Sequence, residues 1–398
     1  CLHIREAITV LFEREFPQAL HGITTAAVLG ASPPSADPRY CMEAARSVIS
    51  FALPLDEEAV RTFITKKNWI DHGNDRKRVV QQLYALGDAI VTLFREHGYS
   101  ALQVAVNNTY RPEPGAADIT EQTEFHPDFS HRYAAVAAGV GRLGWSGNLL
   151  TVKYGALVEL GSVITDTPLE PDHPIPDEEH PCDRCKMCAL VCPVGMVPAK
   201  DSIEVTVGGV TEVIARKAPN TCCWIGCTGY EGLSSSGTWS NWSPYRIGKP
   251  LPGDKRQLDA LCVSLQKSDP MMQSKDNSFA DYRKAVFNPH WYYYTVCGFC
   301  RSVCWKSHEE RRVNRKMIHA SGRAALGADG MHVVAQEGSR TIETPYGVEV
   351  VVNQGDYQDL QKLSAADRVE LRKKAKNPLD GEVLYFLSSR REDDNQET

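Results

Sequence analysis

The sequence has 398 residues, of which 42 % are hydrophobic and 24 % are charged, and its formal net charge is −6. This is the composition of an ordinary globular protein and excludes a disordered or fibrous chain. The acidic balance argues against a general nucleic-acid binder, which should be basic. Because no apolar run approaches the roughly 18 residues that a membrane-spanning helix needs, we expect no transmembrane segment.

The first part of the chain predicts a mixture of helices and strands. Apolar residues recur at spacings of three and four between Val79 and Phe94, which predicts an amphipathic helix that Gly98 closes. The apolar stretches 47–55 and 101–106 predict strands. They are followed by a long loop over 107–129, a helix over 132–139 and two strands within 149–165.

The second part opens with a proline-rich, acidic stretch at 166–181, which predicts a domain boundary. Gly208-Gly209 predicts a hairpin within 203–215, and the basic run 311–316 predicts an exposed helix face. We therefore expect an α/β domain over 1–175 and a second domain over 176–315 with an inserted loop at about 228–290. A C-terminal extension over 316–398 should pack on both.

The cysteines are unevenly distributed. Ten of the 13 lie in two tight runs and a segment between them, whereas Cys1, Cys41 and Cys262 stand apart. An odd total with tight clustering indicates metal ligation rather than disulfide bonds. The two runs are Cys182-x2-Cys185-x2-Cys188-x3-Cys192-Pro193 and Cys297-x2-Cys300-x3-Cys304.

The spacing of the first run is typical of bacterial ferredoxins that bind a 4Fe–4S cluster. In two-cluster proteins, the fourth cysteine of such a run ligates the other cluster. This exchange gives one cluster Cys182, Cys185, Cys188 and Cys304, and the other Cys192, Cys297 and Cys300. The missing eighth ligand should be Cys222, Cys223 or Cys227, with Cys227 and Cys222 assigned first. Tetrahedral zinc is the alternative, but it needs only four thiolates.

A glycine-rich stretch lies before the first cysteine run. Gly139, Gly141 and Gly144 fit the dinucleotide fingerprint G-x-G-x-x-G. That motif requires a strand before it and a helix after it. Here the preceding residues predict a helix, so the sequence disfavours a dinucleotide site.

The order of the motifs adds a resemblance. Along the chain come Gly98-Tyr99-Ser100-Ala101, Asn107-Asn108-Thr109, the stretch 138–144, Tyr154-Gly155 and the first cysteine run. This series resembles the superfamily of cobalamin-dependent reductive dehalogenases and epoxyqueuosine reductases, and its first two segments look more like the dehalogenase branch. The resemblance implies an α+β fold, in which a nitroreductase-like α/β domain binds base-off cobalamin and a ferredoxin-like domain binds two 4Fe–4S clusters. It also implies that Gly139, Gly141, Gly144 and Tyr154 bind the cofactor.

The chemistry that the resemblance implies is reductive. In dehalogenases, electrons pass through the two clusters to cobalamin, whose Co(I) form breaks a carbon–halogen bond while a tyrosine supplies a proton. The substrate would be a small organohalide, and the external electron donor a protein such as ferredoxin or flavodoxin. Tyr110 is the expected proton donor. The alternates are His126, Asp128, His131 and Tyr133.

Glu159 departs from the dehalogenase pattern, because arginine is common in the strand after Tyr-Gly. An acid there cannot stabilise a phenolate donor or a halide. We therefore treat Glu159 as a catalytic candidate that alters the substrate class. The alternative is that Glu159 is an ordinary strand residue whose side chain faces outward. Lys153 is the nearest replacement for the missing positive charge.

Two other functions stay open. An epoxyqueuosine reductase acts on transfer RNA, and Asp128 lies near, but not at, the position of its aspartate proton donor. A non-catalytic two-cluster electron carrier would explain the cysteines but would leave the chain before Cys182 without a role. We favour the small-molecule reductase, with no nucleic-acid partner. A cytoplasmic location is expected, with export of the folded protein as the alternative.

Overall fold

The computed structural model describes residues 2–106, 111, 126–227, 229–243, 251, 254–268 and 296–327, and parts of 330–389. Its central feature is a four-stranded antiparallel sheet. The strands are β1 (Leu20–Thr25), β2 (Ser47–Pro54), β3 (Ala101–Gln103) and β6 (Val158–Thr165), in the order β1-β2-β6-β3. Two short strands, β4 (Arg142–Leu143) and β5 (Leu149–Leu150), pair with each other beside it. The mixture of helices and sheet agrees with the expected fold class.

Strand β2 lies at the centre of the sheet, and its first seven residues are buried. Alternate side chains of a strand point to opposite faces of the sheet. Ile49, Phe51 and Leu53 belong to one apolar cluster, whereas Val48 and Ala52 belong to clusters on the other side. Since both faces are covered, the strand is buried on both sides and apolar except at Ser47 and Ser50, and the strand predicted over 47–55 is confirmed.

Helices cover both faces of the sheet. The helices of this part are α1 (Leu2–Glu15), α2 (Ala26–Leu29), α3 (Glu57–Ile64), α4 (Ile70–Glu96) and α5 (His131–Ala137). Helix α4 packs across β6 and β3 and contacts α1 and α3, and α5 packs on β1, β2 and β6. Both predicted helices are confirmed. Helix α4 begins nine residues before Val79, because its first turns bury the polar residues His72, Asp75 and Arg76, which an apolar pattern does not reveal.

The strand predicted over 101–106 is shorter than expected. Pairing with β6 ends at Gln103, and Val104 donates one further hydrogen bond to the Ser162 carbonyl at 3.0 Å. The chain then turns away, and the Val106 amide donates to the Tyr84 hydroxyl at 3.1 Å. The last residues of the predicted strand therefore bond to a helix side chain.

The second part of the chain carries the cysteines. Its elements are α6 (Met187–Leu190), β7 (Ser202–Val207), β8 (Val210–Ala215), α7 (Asn220–Cys227), α8 (Lys255–Ser268), α9 (Phe299–Ser302) and α10 (His308–Ala320). Strands β7 and β8 form the predicted hairpin around Gly208-Gly209. Helices α9 and α10 pack against α3, and the Trp242 indole donates a 2.8 Å hydrogen bond to the Phe63 carbonyl. We call residues 2–106 and 126–165 the sheet half and residues 182–320 the cysteine half.

The basic run 311–316 is only in part the exposed helix face that the sequence predicts: Arg312 and Lys316 are exposed, but Arg311 is not. Arg311 is only 2 % exposed, and its guanidinium donates to the carbonyls of Trp305 and Pro181 and to Asp183. These acceptors lie in other loops, so the charge pattern of the helix alone could not reveal them.

The rest of the described chain consists of two hairpins and a helix. Strands β9 (Arg323–Gly327) and β10 (Gly330–Val334) pair with each other, as do β11 (Ser339–Glu343) and β12 (Glu349–Asn353), and α11 covers Ala365–Lys374. None of the described helices is long and apolar enough to span a membrane.

Candidate metal centre

The first cysteine run turns sharply, so that three of its sulfurs face the same centre. Arg184 and Lys186 adopt left-handed backbone conformations, with φ of 54° and 60°. Such conformations are uncommon for residues other than glycine. Between and after them lie Cys185 and Cys188; burial, and then the charges of Cys300, Cys182 and Cys185, raise the pKa of Cys188 to about 12. We call Cys182, Cys185, Cys188 and Cys304 the first cysteine group.

Cys304 joins this group from the second run. Burial raises the pKa of the Cys304 thiol well above its ordinary value; Arg311 opposes the shift, and the charges of Cys182, Cys188 and Cys185 add to it. Sulfurs that influence one another in this way lie close together. The structure therefore brings together the four cysteines that the ligand exchange assigns to one cluster.

The second cysteine group contains Cys192, Cys297, Cys300, Cys223 and Cys227. Burial, with the nearby Cys297 and Cys300, raises the pKa of Cys192 to about 12. The Sγ atoms of Cys223 and Cys227 lie 3.7 Å apart. A hydrogen bond with Cys227 is the main cause that lowers the pKa of Cys297 to about 6. This group holds one sulfur more than a four-ligand cluster needs.

Cys222 contacts the second group differently from its two neighbours. Across the α7–α8 contact lies Cys262, whose pKa is raised to about 12 by burial and then by Asp259 and Cys222. Cys222 is buried, and burial and then the charge of Cys223 raise its own pKa. Of the three cysteines proposed as the eighth ligand, Cys223 and Cys227 interact with Cys297 and with each other, whereas the charges beside Cys222 are those of Cys223 and Cys262.

The glycine-rich stretch runs between the sheet half and the cysteines. Gly139 has φ of 70°, and an added Cβ would lie 2.4 Å from the His173 carbonyl oxygen. At Gly141 an added Cβ would lie 2.4 Å from the Leu150 carbonyl oxygen, and at Gly144 it would lie 2.6 Å from a Leu150 methyl group. Helix α5 precedes the stretch, so the dinucleotide context is missing, as the sequence predicts. The three glycines allow close packing of the backbone.

The residues after these glycines reach both cysteine groups. The Trp145 amide lies 3.4 Å from Cys182 Sγ, and the Asn148 side-chain amide lies 3.7 Å from Cys300 Sγ, each as a hydrogen-bond donor. Tyr154 lies further along, and its hydroxyl donates to the Gln18 carbonyl at 2.9 Å. Donors to cysteine sulfur are a recognised means of tuning a cluster's reduction potential.

Glu159 is buried at the boundary between the two halves, not turned outward. Its side chain accepts hydrogen bonds from Arg76 of α4 at 2.8 Å and from Arg301 of α9 at 2.7 Å. Burial opposes ionisation, but the charges of Arg301 and Arg76 and their hydrogen bonds lower the pKa of Glu159 to about 2. The carboxylate is therefore ionised, and it lies between two guanidinium groups.

The predicted proton donors have different surroundings. Tyr110 lies outside the described residues. His126 is exposed, and Asp128 is half-buried, its carbonyl accepting from Arg111. His131 is buried, with ring nitrogens 2.9 Å from Ser162 Oγ and 3.0 Å from the Ala105 carbonyl, and Tyr133 is half-buried. His131 therefore ties α5 to the sheet.

Sequence reasoning missed four cations near the second cysteine group or Glu159: Lys66, Arg76, Lys217 and Arg301. Two of them carried a usable pattern. Arg301 lies inside the second cysteine run, and Arg76 falls three residues before Val79 on the buried face of α4. Lys66 and Lys217 have no such pattern, because only the tertiary fold brings them to the cysteines.

Comparisons with known proteins agree with the sequence resemblance. Over 68 residues the chain is 37 % identical to the epoxyqueuosine reductase of Bacillus anthracis, a match that covers 17 % of each protein. Over 149 residues it is 30 % identical to the tetrachloroethene reductive dehalogenase of Dehalobacter restrictus, covering 37 % of this chain and 23 % of that one. The resemblance to the combined superfamily is confirmed. Neither branch is favoured, which corrects the preference for dehalogenases.

Solved structures of both branches also match, with low scores. The crystal structure of epoxyqueuosine reductase with a modified tRNA stem loop has a TM-score of 0.39 at 15 % identity, covering 97 % of this chain and 100 % of that one. A reductive dehalogenase structure has a TM-score of 0.38 at 17 % identity, covering 66 % and 36 %. No family model matches the chain. The chain's sequence matches span less than a quarter of the length of the two curated relatives.

Proposed function

We propose that this protein is a reductase whose electrons pass through two 4Fe–4S clusters. The observation that carries the proposal is the exchange of cysteines between the two runs. Cys304 of the second run lies with the first group, and Cys192 of the first run lies with the second. Two independent zinc sites have no need of this exchange, whereas two-cluster ferredoxins use it.

The cysteines fit the proposed clusters in number and state. Twelve described cysteines are free thiols, so no disulfide competes for the sulfurs. The first group supplies four ligands. The second supplies Cys192, Cys297 and Cys300, and its fourth ligand is Cys223 or Cys227. Since thiols with raised pKa values bind metal only after losing their protons, cluster binding should release protons and stabilise the fold.

The arrangement also suggests a direction for the electrons. Asp183 and Arg184, within the first run, are exposed, so an external donor could approach the first cysteine group. The loop of Trp145 and Asn148 donates to one cysteine of each group, so a sulfur of each group lies next to the same short segment. We propose that electrons enter at the first cluster and pass to the second.

Cobalamin is part of the proposal through the resemblance, and it would supply the metal that reduces the substrate. Three of the four residues expected to bind it have protein atoms where the group would lie: an added Cβ at Gly141 or Gly144 would meet Leu150, and the Tyr154 hydroxyl is bonded to Gln18. Gly139 lines a cavity of about 280 Å³ with α1, β1 and Asp172, and this volume is slightly below the usual range of small-ligand pockets. We derive no step through cobalamin.

The relatives suggest two substrate classes. Their names give tetrachloroethene for one and epoxyqueuosine for the other. The net charge of −6 disfavours docking of transfer RNA, so a small organohalide is our first proposal. Epoxyqueuosine in RNA is the second, because the sequence similarity to those reductases is equally clear.

The test is an anaerobic preparation supplied with corrinoid, followed by iron, sulfide and cobalt analysis of the same sample. We expect about eight irons per chain for two 4Fe–4S clusters. About one cobalt would justify turnover assays with organohalides and with epoxyqueuosine-containing RNA. Eight irons without cobalt would instead support the electron carrier. Iron near zero, with zinc in its place, would contradict the proposal.

A further inference from the structure

Lys66 is a buried lysine beside the second cysteine group. It follows α3, is 5 % exposed and has a left-handed backbone with φ of 56°. Its ammonium donates to Ser321 Oγ and lies 5.6 Å from the centre of the Phe299 ring. Burial lowers the pKa of Lys66 to about 7, and the charge of Cys297 opposes this shift.

Lys217, just after β8, is a second lysine beside this group, and it is half-buried. Its ammonium packs against Gly147, where an added Cβ would lie 2.7 Å from Nζ. Burial and the charge of Arg132 lower its pKa to about 8, while Cys300, Cys223 and Cys188 oppose the shift. Two of these three sulfurs belong to the second group. Lys66 and Lys217 thus approach the same group from different elements.

Neither lysine forms an ion pair with a carboxylate anywhere in the described part of the chain. A buried ammonium without an anionic partner is strongly destabilising. Lys66 lies against the ring of Phe299, which stands between Cys297 and Cys300 in the chain. Lys217 lies against Gly147, and the next residue, Asn148, donates to Cys300 Sγ at 3.7 Å. The sulfurs of the second group are therefore the anionic groups nearest to these lysines among the described residues. A cluster held by four thiolates is negatively charged and would supply the missing partner.

The first cysteine group has a different charge environment. Its buried cation, Arg311, already forms an ion pair with Asp183 at 3.0 Å, and His308 also contacts Asp183. The other cations of the first run are the exposed Arg184 and the half-buried Lys186, whose Nζ lies 4.3 Å from the centre of the Trp145 ring. The positive charge beside that group is therefore paired with a carboxylate or screened by water.

Beside the second group, the described residues include fewer acids than cations. Arg76 and Arg301 share the single carboxylate of Glu159. Glu231, another buried acid of the cysteine half, accepts the amides of Gly232 and Leu233. The lysines therefore add positive charge that nearby carboxylates do not cancel.

We propose that Lys66 and Lys217 are the counter-charges of the second cluster and hold its reduction potential above that of the first. The proposal rests on the proposed function, because both clusters must be present. Adding one electron makes a cluster more negative, so a nearby ammonium stabilises the reduced form. An electron that leaves the first cluster then reduces the second in a favourable step. Lys66 and Lys217 are positioning residues in this scheme, since they bind neither iron nor substrate.

The experiment is an EPR-monitored redox titration of the iron-loaded protein. The variants Cys185→Ser and Cys297→Ser assign the two signals to the first and second groups. Lys66→Met and Lys217→Met should each lower the potential of the second cluster only. We expect at least about a tenfold change in the ratio of oxidised to reduced cluster, which is about 59 mV for one electron. Lys66→Arg and Lys217→Arg, which keep the charge, should restore most of the potential.

Lys77→Met is the matched control, because Lys77 is an exposed lysine on α4 next to the buried Arg76. Suppose that Lys66→Met and Lys217→Met bind two full clusters and that the potential of the second cluster moves no more than in this control. That result would overturn the inference and leave the proposed function intact. A wild-type protein whose first cluster has the higher potential would also overturn it, whether or not the lysine variants assemble. Wild-type protein without clusters would instead contradict the proposed function.

Discussion

The sheet half and the cysteine half are held together by different forces. In the sheet half, strand β2 is buried on both faces, and α4 and α5 close a continuous apolar core around it. The cysteine half has helices of 4 to 14 residues and one hairpin, and cysteine sulfurs and cations lie among its buried apolar residues. An apolar core is complete once the chain has folded, whereas a group of sulfurs becomes stable only with metal. The two halves should therefore respond differently to the loss of iron.

Removal of iron is the strongest test of this difference. After chelation under anaerobic conditions, amides of α6, α9 and the loops around the cysteines should exchange hydrogen rapidly, while β2 and α4 stay protected. Structural metals in small domains contribute about 10 kcal/mol or more to folding. Hydrogen exchange followed by mass spectrometry would measure this. Equal loss of protection in both halves would show that the sheet half also depends on the metal.

The proposed exchange of ligands between the two cysteine runs leads to a second prediction, which concerns the cysteine half alone. Cys304→Ala should remove the first cluster and Cys192→Ala the second, although each residue belongs to the other run. Iron should fall from about eight to about four per chain in each variant. EPR would show which cluster remains. Retention of the first cluster in Cys304→Ala would contradict the exchange; Cys41→Ala, whose cysteine stands apart, serves as the control.

Glu159 joins the two halves, so it tests how far they act as one unit. Glu159→Gln leaves Arg76 and Arg301 without their shared carboxylate, and breaking a buried ion pair costs about 3–5 kcal/mol. Urea unfolding of the iron-loaded protein would measure the change, with the exposed Glu204→Gln as the control. If the free energy of unfolding falls no further than in that control, water must stabilise Arg76 and Arg301 as well as the Glu159 carboxylate does.

The same residue gives a pH dependence. The pKa of Glu159 is lowered to about 2 from the usual 4.5. A lowered carboxyl pKa stabilises the fold above the unfolded pKa, and this stabilisation is lost as the pH falls towards the folded value. The difference in unfolding free energy between wild type and Glu159→Gln should thus be constant from pH 8 to about pH 5 and narrow below it. If this difference in unfolding free energy already narrows between pH 7 and pH 6, a group other than Glu159 must titrate in that range.

The last prediction concerns the fifth sulfur of the second group, which a four-ligand cluster does not need. Cys223→Ser and Cys227→Ser should differ, one losing the second cluster and the other keeping it, because only four ligands are needed. Cys222→Ser should keep both clusters, since Cys222 faces Cys262. Iron analysis of the three variants would identify the eighth ligand. Loss of a cluster in Cys222→Ser alone would show that α7 rearranges when iron binds.

Local patterns in the sequence predicted much of the fold. The mostly apolar run of β2, the spacing of α4 and the glycines of the β7–β8 hairpin act over neighbouring residues. The cysteine spacing also predicts the sulfur ligands, and the iron analyses of the cysteine variants test that prediction. The charges around them could not be predicted in this way. Glu159 meets Arg76 and Arg301, and Arg311 meets Asp183, only through contacts between distant parts of the chain.

The exchange of cysteines between the runs has a consequence for biosynthesis. The first three ligands of the first group leave the ribosome roughly a hundred residues before Cys304, and a closed loop of that length must form before the group is complete. Neither cluster can thus be fully ligated on a nascent chain that ends before the second run. We expect iron–sulfur delivery to follow synthesis of the whole cysteine half, so that a truncated product would remain without full clusters.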